Sequence, residues 1–316
     1  MKYQTTKWIS PQIEQKEDPQ DDPRIGQLLQ KPQIKTKPQV VIIGFPSDLG
    51  VKINQGRVGA AHGPNAIRQA LYNLTPHPIN QNHRALLQKT QDLGDLSLSE
   101  DLSQNQATLG QIIAPYLQNK ITPIILGGGH ETAFGHFLAY AFNKQPMQII
   151  NIDAHTDVRP LKNNNPHSGS PFYQALEHPS KVCKNYHVAG LQPSAVAQKH
   201  LAYLGEKQSH ITWIDQLRDA APALLFQNLK HDTMLTLDLD VVDRSAAPGV
   251  SAPCTHGLSA DQFLKIAYHA GQNTKVKSID LVELNPRYDQ DNQSAKLCAL
   301  ALWYFLLGRS EAKTNS

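Results

Sequence analysis

Residues 147–157 read M-Q-I-I-N-I-D-A-H-T-D. A short apolar run, Met147–Asp153, passes directly into three side chains able to bind metal: Asp153, His155 and Asp157. The run is continuous rather than alternating, so it reads as a strand covered on both faces. Alternate residues of an extended segment point the same way, which lets the three side chains converge. Two carboxylates leaving a buried strand are costly unless something neutralises them. An N-cap or a surface turn is the competing reading.

The same texture extends outward in both directions. Val40–Phe45, Pro123–Leu126, Tyr186–Leu191, His210–Ile214, Met234–Val242 and Val276–Leu284 read as further strands, and Leu93–Leu96 as a weaker eighth. Helical patterns lie between them at Pro64–Leu74, Glu131–Asn143, Ser194–Leu204, Ala260–Ala270 and Gln293–Leu307. Pro64 suits a first helical turn, Ser259 and Gln262 form a capping box, and Gly205, Gly271 and Gly308 read as stops. Alternating strands and helices imply an α/β fold, a three-layer α/β/α sandwich on a mostly parallel sheet. No internal repeat or linker breaks the pattern, so residues 39–316 read as a single domain. Residues 1–38, polar and punctuated by proline, read as an extension. In such sheets ligands sit at the carboxyl ends of the strands.

Two other strand ends carry chemistry. M-L-T-L-D-L-D-V-V (234–242) places Asp238 and Asp240 inside an otherwise apolar strand, on one face; a half-exposed edge strand is the alternative. I-L-G-G-G-H-E (125–131) supplies His130 at a strand-to-helix turn. Its glycines lack both the Walker Lys-Ser/Thr and the G-x-G-x-x-G spacing, so phosphate binding is a weak reading. Two histidines and four aspartates exceed what one ion needs and suit two ions sharing carboxylates. Oxygen-rich ligands with some imidazole favour Mn²⁺, with Fe²⁺, Co²⁺ and Zn²⁺ left open.

Composition narrows the class. Thirty basic against 27 acidic residues leave a formal charge of +3. No block of like charge argues for nucleic acid or a lipid surface. Cys183, Cys254 and Cys298 form no CxxC and read as reduced thiols of a cytoplasmic protein. The longest apolar run, Leu297–Leu307, is shorter than the ~20 residues a membrane span needs. No signal core precedes Gln39.

G-G-G-H-E (127–131), D-A-H-T-D (153–157), L-D-L-D (237–240) and V-E-L-N-P (282–286) together resemble the ureohydrolases, the family of arginase, agmatinase and formimidoylglutamase. The resemblance runs from about Val40 to Leu307. It implies the arginase-type fold with a central eight-stranded sheet. It also implies two Mn²⁺ ions held by His130, Asp153, His155, Asp157, Asp238 and Asp240, and the homo-oligomeric assembly usual in the family. Residues 44–68, 129–137, 157–159, 167–172, 190–194 and 283–291 are most similar to the formimidoylglutamase branch. That branch hydrolyses N-formimidoyl-L-glutamate to L-glutamate and formamide in histidine degradation. Agmatine, arginine and guanidino acids, which release urea, are the alternatives.

The resemblance implies attack by a metal-bridging hydroxide on the amidine carbon, oriented by Asp157. His167 stands at the place of a proton-shuttle histidine, and Glu283 at that of the carboxylate holding the cationic amidine. Arg159 is expected to pair with the substrate carboxylates, with Arg57 and Arg287 as weaker candidates. Ala195, Val196 and Ala197 depart from the Asn-Thr pair of the family pattern, and Trp8 from its W-x-G-R-x-D opening.

Overall fold

A computed structural model describes residues 22–30 and 37–312. Eight strands form one sheet: β1 Val40–Phe45, β2 Thr90–Asp95, β3 Thr122–Gly127, β4 Met147–Ile152, β5 Cys183–Leu191, β6 His210–Trp213, β7 Asp232–Asp238 and β8 Val276–Val282. Their order is β2-β1-β3-β8-β7-β4-β5-β6. Every pairing is parallel.

Side chains alternate between two apolar layers. Val40, Ile42, Ile124, Ile150, Leu235 and Leu237 pack on one face against the helices Gly63–Tyr72, Ala260–Gln272 and Gln293–Glu311. Ile43, Phe45, Ile125, Ile149 and Met234 pack on the other against Leu102–Gln118, Thr132–Phe142, Pro171–Glu177 and Gln198–Glu206. Burial on both faces is why the strands read as continuous apolar runs.

Some boundaries differ from the expectation, each for a physical reason. β7 ends at Asp238, and Asp240 lies on a short 3₁₀ turn, Leu239–Val241. The Asp238 side chain caps that turn by accepting from the Asp240 backbone N–H at 2.8 Å. Gly271 and Gly308 do not stop their helices, which run to Gln272 and Glu311. They lie where these two helices meet. A Cβ on Gly271 would stand 2.2 Å from the Phe305 carbonyl oxygen, and one on Gly308 2.1 Å from that of Tyr268. The stretch expected to be helical from Ser194 forms a 3₁₀ turn at Pro193–Ala195, and its α-helix starts only at Gln198. A further helix, Leu102–Gln118, has a sequence pattern interrupted by Gly110 and Pro115.

Within the polar extension, residues 22–30 dock on the sheet edge. Ile25 is fully buried in the first apolar layer, and Gln30 bridges Gln91 of β2. Residues 1–21, Trp8 among them, and 31–36 lie outside the described residues.

β2 owes its polar sequence to one partner. Arg68, 1% exposed, donates from Nε to Asp92 at 2.8 Å, from Nη1 to Asp95, and from Nη2 to the Gly94 carbonyl at 2.9 Å. The Tyr72 hydroxyl donates to the same Asp92 carboxylate.

His83 carries a pH dependence. Its ring is buried beside Trp303, and its Nδ1 accepts the His77 backbone N–H at 3.1 Å. Burial, then the His77 charge, pushes it down to about 4. The unfolded chain therefore takes up a proton near pH 6.5 that the folded chain refuses until about 4. Stability is expected to fall as pH drops through that window. His83→Gln, followed by denaturant unfolding between pH 4 and 7, is expected to flatten this loss; an unchanged slope would count against it.

Candidate metal centre

The four central strands, β3-β8-β7-β4, are sheet neighbours although they are remote in sequence. Each delivers an acid or imidazole at its carboxyl end: His130 after β3, Glu283 after β8, Asp238 closing β7 and Asp153 after β4. His155, Asp157 and Asp240 follow in the adjoining loops.

Two sets result. His130, Asp153, Asp157 and Asp238 offer ligand atoms within 4.8 Å of one another, and Asp153, His155 and Asp240 do the same. Asp153 belongs to both. Its Oδ2 lies 3.3 Å from His130 Nδ1, and its Oδ1 3.5 Å from His155 Nδ1. The six residues expected from the sequence are thus brought together, in two sets sharing one carboxylate.

The donors fit metal ions. His130 Nδ1 has oxygens of Asp238, Asp157 and Asp153 at 2.9, 3.0 and 3.3 Å, yet makes a well-formed hydrogen bond to none of them. One ring nitrogen cannot serve three carboxylates; a cation between them can. His130 Nε2 lies 3.0 Å from Thr236 Oγ1, which leaves Nδ1 as the ligand nitrogen. Asp240 Oδ1 is buried without a partner. Among the described residues, the four aspartates form ion pairs only with the two histidines. Burial, then the charges of Asp240 and Asp153, holds the Asp238 carboxyl well above its ordinary range, and burial raises Asp240 as well. Burial also raises Asp153, but the neighbouring imidazoles of His130 and His155, 3.3 and 3.5 Å away, outweigh it and hold that carboxyl low. Bound cations would remove the repulsion.

Two backbone features accompany the cluster. Asp157 and Glu283 have φ of +44° and +67°, uncommon for non-glycine residues and typical of functional sites. Glu283 accepts the His130 backbone N–H at 2.8 Å. Burial, then the Glu131 charge, raises its carboxyl.

A cavity of about 280 Å³ opens above the cluster. His155, Asp157, Asp238, Asp240 and Glu283 line its floor, and Asn54, Arg57, Arg159, Ser168 and Ser251 its walls. Arg159 lies at the mouth. Arg57 is largely committed to the wall. Its Nε donates to the Ser251 carbonyl at 2.8 Å, Nη2 donates to that of Val250, and the guanidinium covers the Tyr288 ring at 4.0 Å. Arg287 is not among the lining residues.

His167, expected as a proton-shuttle histidine, lies in the loop beside the cavity, next to Ser168 and Gly169. It is 3% exposed and is not among the cavity-lining residues. Its Nδ1 accepts the Gly169 backbone N–H at 3.1 Å, and its Nε2 lies 3.0 Å from the Pro160 carbonyl oxygen. Both ring nitrogens have partners within the loop, and the neighbouring Ser168 lines the cavity. The sequence reading missed Ser168, Asn54 and Ser251, because small polar residues in loops carry no period or spacing. A larger cavity of about 400 Å³, lined by His187, His210 and Thr212 towards the amino ends of β5 and β6, has no metal-ligating cluster among the described residues.

Comparison with known proteins agrees with this geometry. A model of the arginase family matches residues 38–308. A formimidoylglutamase of Lysinibacillus sphaericus (strain C3-41) is 36% identical over 274 residues, covering 83% of this chain and 82% of that one. A formimidoylglutamase of Staphylococcus carnosus (strain TM300) is 35% identical over 278 residues, covering 84% and 85%. Among solved structures, that of Trypanosoma cruzi formiminoglutamase with Mn²⁺ superposes with a TM-score of 0.85 at 31% identity, over 93% of this chain and 100% of that one. With the sheet order, the paired ligand sets and a family match spanning nearly all the described residues, the chain belongs to the arginase family.

Proposed function

We propose that this protein hydrolyses N-formimidoyl-L-glutamate to L-glutamate and formamide, using two Mn²⁺ ions. The observation that carries the substrate choice is an arginine fork, Arg159, at the mouth of a cavity with an acidic, metal-binding floor. A cationic amidine suits the floor. The carboxylates at the far end of the substrate suit the guanidinium. Agmatine carries a cationic amine there, which Arg159 would repel. The relatives' names support the same choice.

His130, Asp153, Asp157 and Asp238 would hold one ion, and Asp153, His155 and Asp240 the other. When bound, such a pair supplies hydroxide near neutral pH and positive charge for the developing tetrahedral centre. Asp157 orients the attacking oxygen while acting as a ligand. Glu283, lining the floor, accepts N–H bonds from the amidinium, whose charge keeps the carboxylate ionised despite its burial. His167 keeps the 159–169 loop in shape. A small-molecule substrate needs no further macromolecule, and no helix among the described residues is long and apolar enough to cross a membrane. A cytoplasmic homo-oligomer remains the expectation from sequence and family.

The test is a substrate panel on the Mn²⁺-loaded protein: N-formimidoyl-L-glutamate, arginine, agmatine and guanidinobutyrate, following formamide and urea. Formamide from the first alone is expected; urea from any guanidine without formamide would overturn the substrate assignment. Arg159→Ala is expected to raise KM for N-formimidoyl-L-glutamate by about 10–100-fold, the loss of hydrogen bonds to a charged group. An unchanged KM would remove Arg159 from the site.

A further inference from the structure

Asn54 is half-buried at the end of the short helix Leu49–Ile53 and lines the cavity opposite the loop that carries Arg159. Its amide makes two contacts across the cavity wall. Arg159 Nη1 donates to Asn54 Oδ1 at 3.3 Å, and Asn54 Nδ2 donates to Ser168 Oγ at 3.1 Å. The orientation is forced: a guanidinium only donates, so the amide oxygen must face it and the amide nitrogen must face the serine.

This has a consequence for Ser168. Its oxygen already accepts from Asn54, so its hydroxyl proton points elsewhere. Among the described residues it donates to no protein acceptor, and Ser168 lines the cavity. The Arg159 guanidinium has one of its five N–H groups on Asn54 and keeps others for a ligand. Both ends of the relay therefore present donors, as a carboxylate requires.

The local backbone is built for this approach. The Arg159 backbone N–H donates to the Gly169 carbonyl at 2.8 Å. A Cβ on Gly169 would lie 3.1 Å from Arg159 Cδ and 3.3 Å from Asn54 Nδ2, so a side chain there would crowd both. His167 closes the same loop through Pro160 and Gly169.

We propose that Asn54 is a specificity-positioning residue, holding Arg159 and Ser168 as paired donors for the carboxylates of an amino-diacid substrate. The proposal rests on the N-formimidoyl-L-glutamate reading for its substrate, though its ligand chemistry is testable with L-glutamate alone.

The experiment uses the Mn²⁺-loaded full chain as wild type, Asn54→Ala and Asn54→Asp. It measures L-glutamate binding by calorimetry and N-formimidoyl-L-glutamate turnover. Asn54→Ala is expected to weaken L-glutamate binding and raise KM by about tenfold, with the loss falling on KM rather than kcat. Asn54→Asp is expected to lose more. Its carboxylate still pairs with Arg159 but takes the Ser168 proton and repels the ligand. A purely structural role would make this near-isosteric variant the milder one, and the variant keeps the test alive if Asn54→Ala does not fold. Wild-type affinity in Asn54→Ala, an Asn54→Asp milder than Asn54→Ala, or no binding of L-glutamate by wild type would each overturn the proposal. L-glutamate binding with the expected variant order, but no formamide from N-formimidoyl-L-glutamate, would overturn the substrate reading and leave the role of Asn54 standing.

Discussion

Asp238→Asn is expected to cut turnover by at least about a thousandfold, the several kcal/mol that metal-ion chemistry supplies to such a hydrolysis. Asp238 is 2% exposed, and its Oδ2 lies 2.9 Å from His130 Nδ1. Its Oδ1 accepts the Asp240 backbone N–H at 2.8 Å. An asparagine can keep that second bond, so the turn after β7 should survive. It would place an N–H donor where a ligand oxygen is needed and remove one negative charge. The loss should therefore appear as lost Mn²⁺, read by elemental analysis, with an unchanged circular dichroism spectrum. Dialysis against a chelator should abolish activity in the wild type, and added Mn²⁺ should restore it. An Asp238→Asn protein retaining both metal and activity would rule out the proposed ligand set.

Arg68→Met is expected to destabilise the fold by about 3–5 kcal/mol, the usual cost of stranding a buried charge. Arg68 answers two carboxylates at once, those of Asp92 and Asp95, and both are buried at the β2 edge of the sheet. Methionine fills much of the volume but offers no donor. The melting temperature should fall by roughly 5–8 °C. Adding Asp92→Asn and Asp95→Asn should recover part of that loss, because no unpaired charge is then left inside. A melting temperature within about 2 °C of wild type for Arg68→Met alone would contradict this account. The site is remote in sequence from the proposed metal ligands, so metal content should hold below the new melting temperature.

The sheet was legible from sequence because its strands are buried on both faces. Val40–Phe45 and Met147–Ile152 are unbroken runs of buried residues, and such runs have few other readings. The polar β2 was weaker because the reason for its aspartates, Arg68, comes from a helix more than twenty residues earlier. The candidate metal-binding residues were legible because acids and histidines at the ends of apolar runs are costly without a cation. That argument is local to each strand.

What the amino-acid order determined by itself was therefore the fold class and the six side chains of the cluster, since both follow from burial along one strand at a time. The tertiary structure decided how those six divide into two sets sharing Asp153, because the sharing depends on β3, β8, β7 and β4 lying side by side. It also decided that His167 turns into its own loop while Ser168 and Asn54 face the cavity. Adjacent residues of an irregular loop have no period to say which one points inward; contacts between loops distant in sequence set that choice.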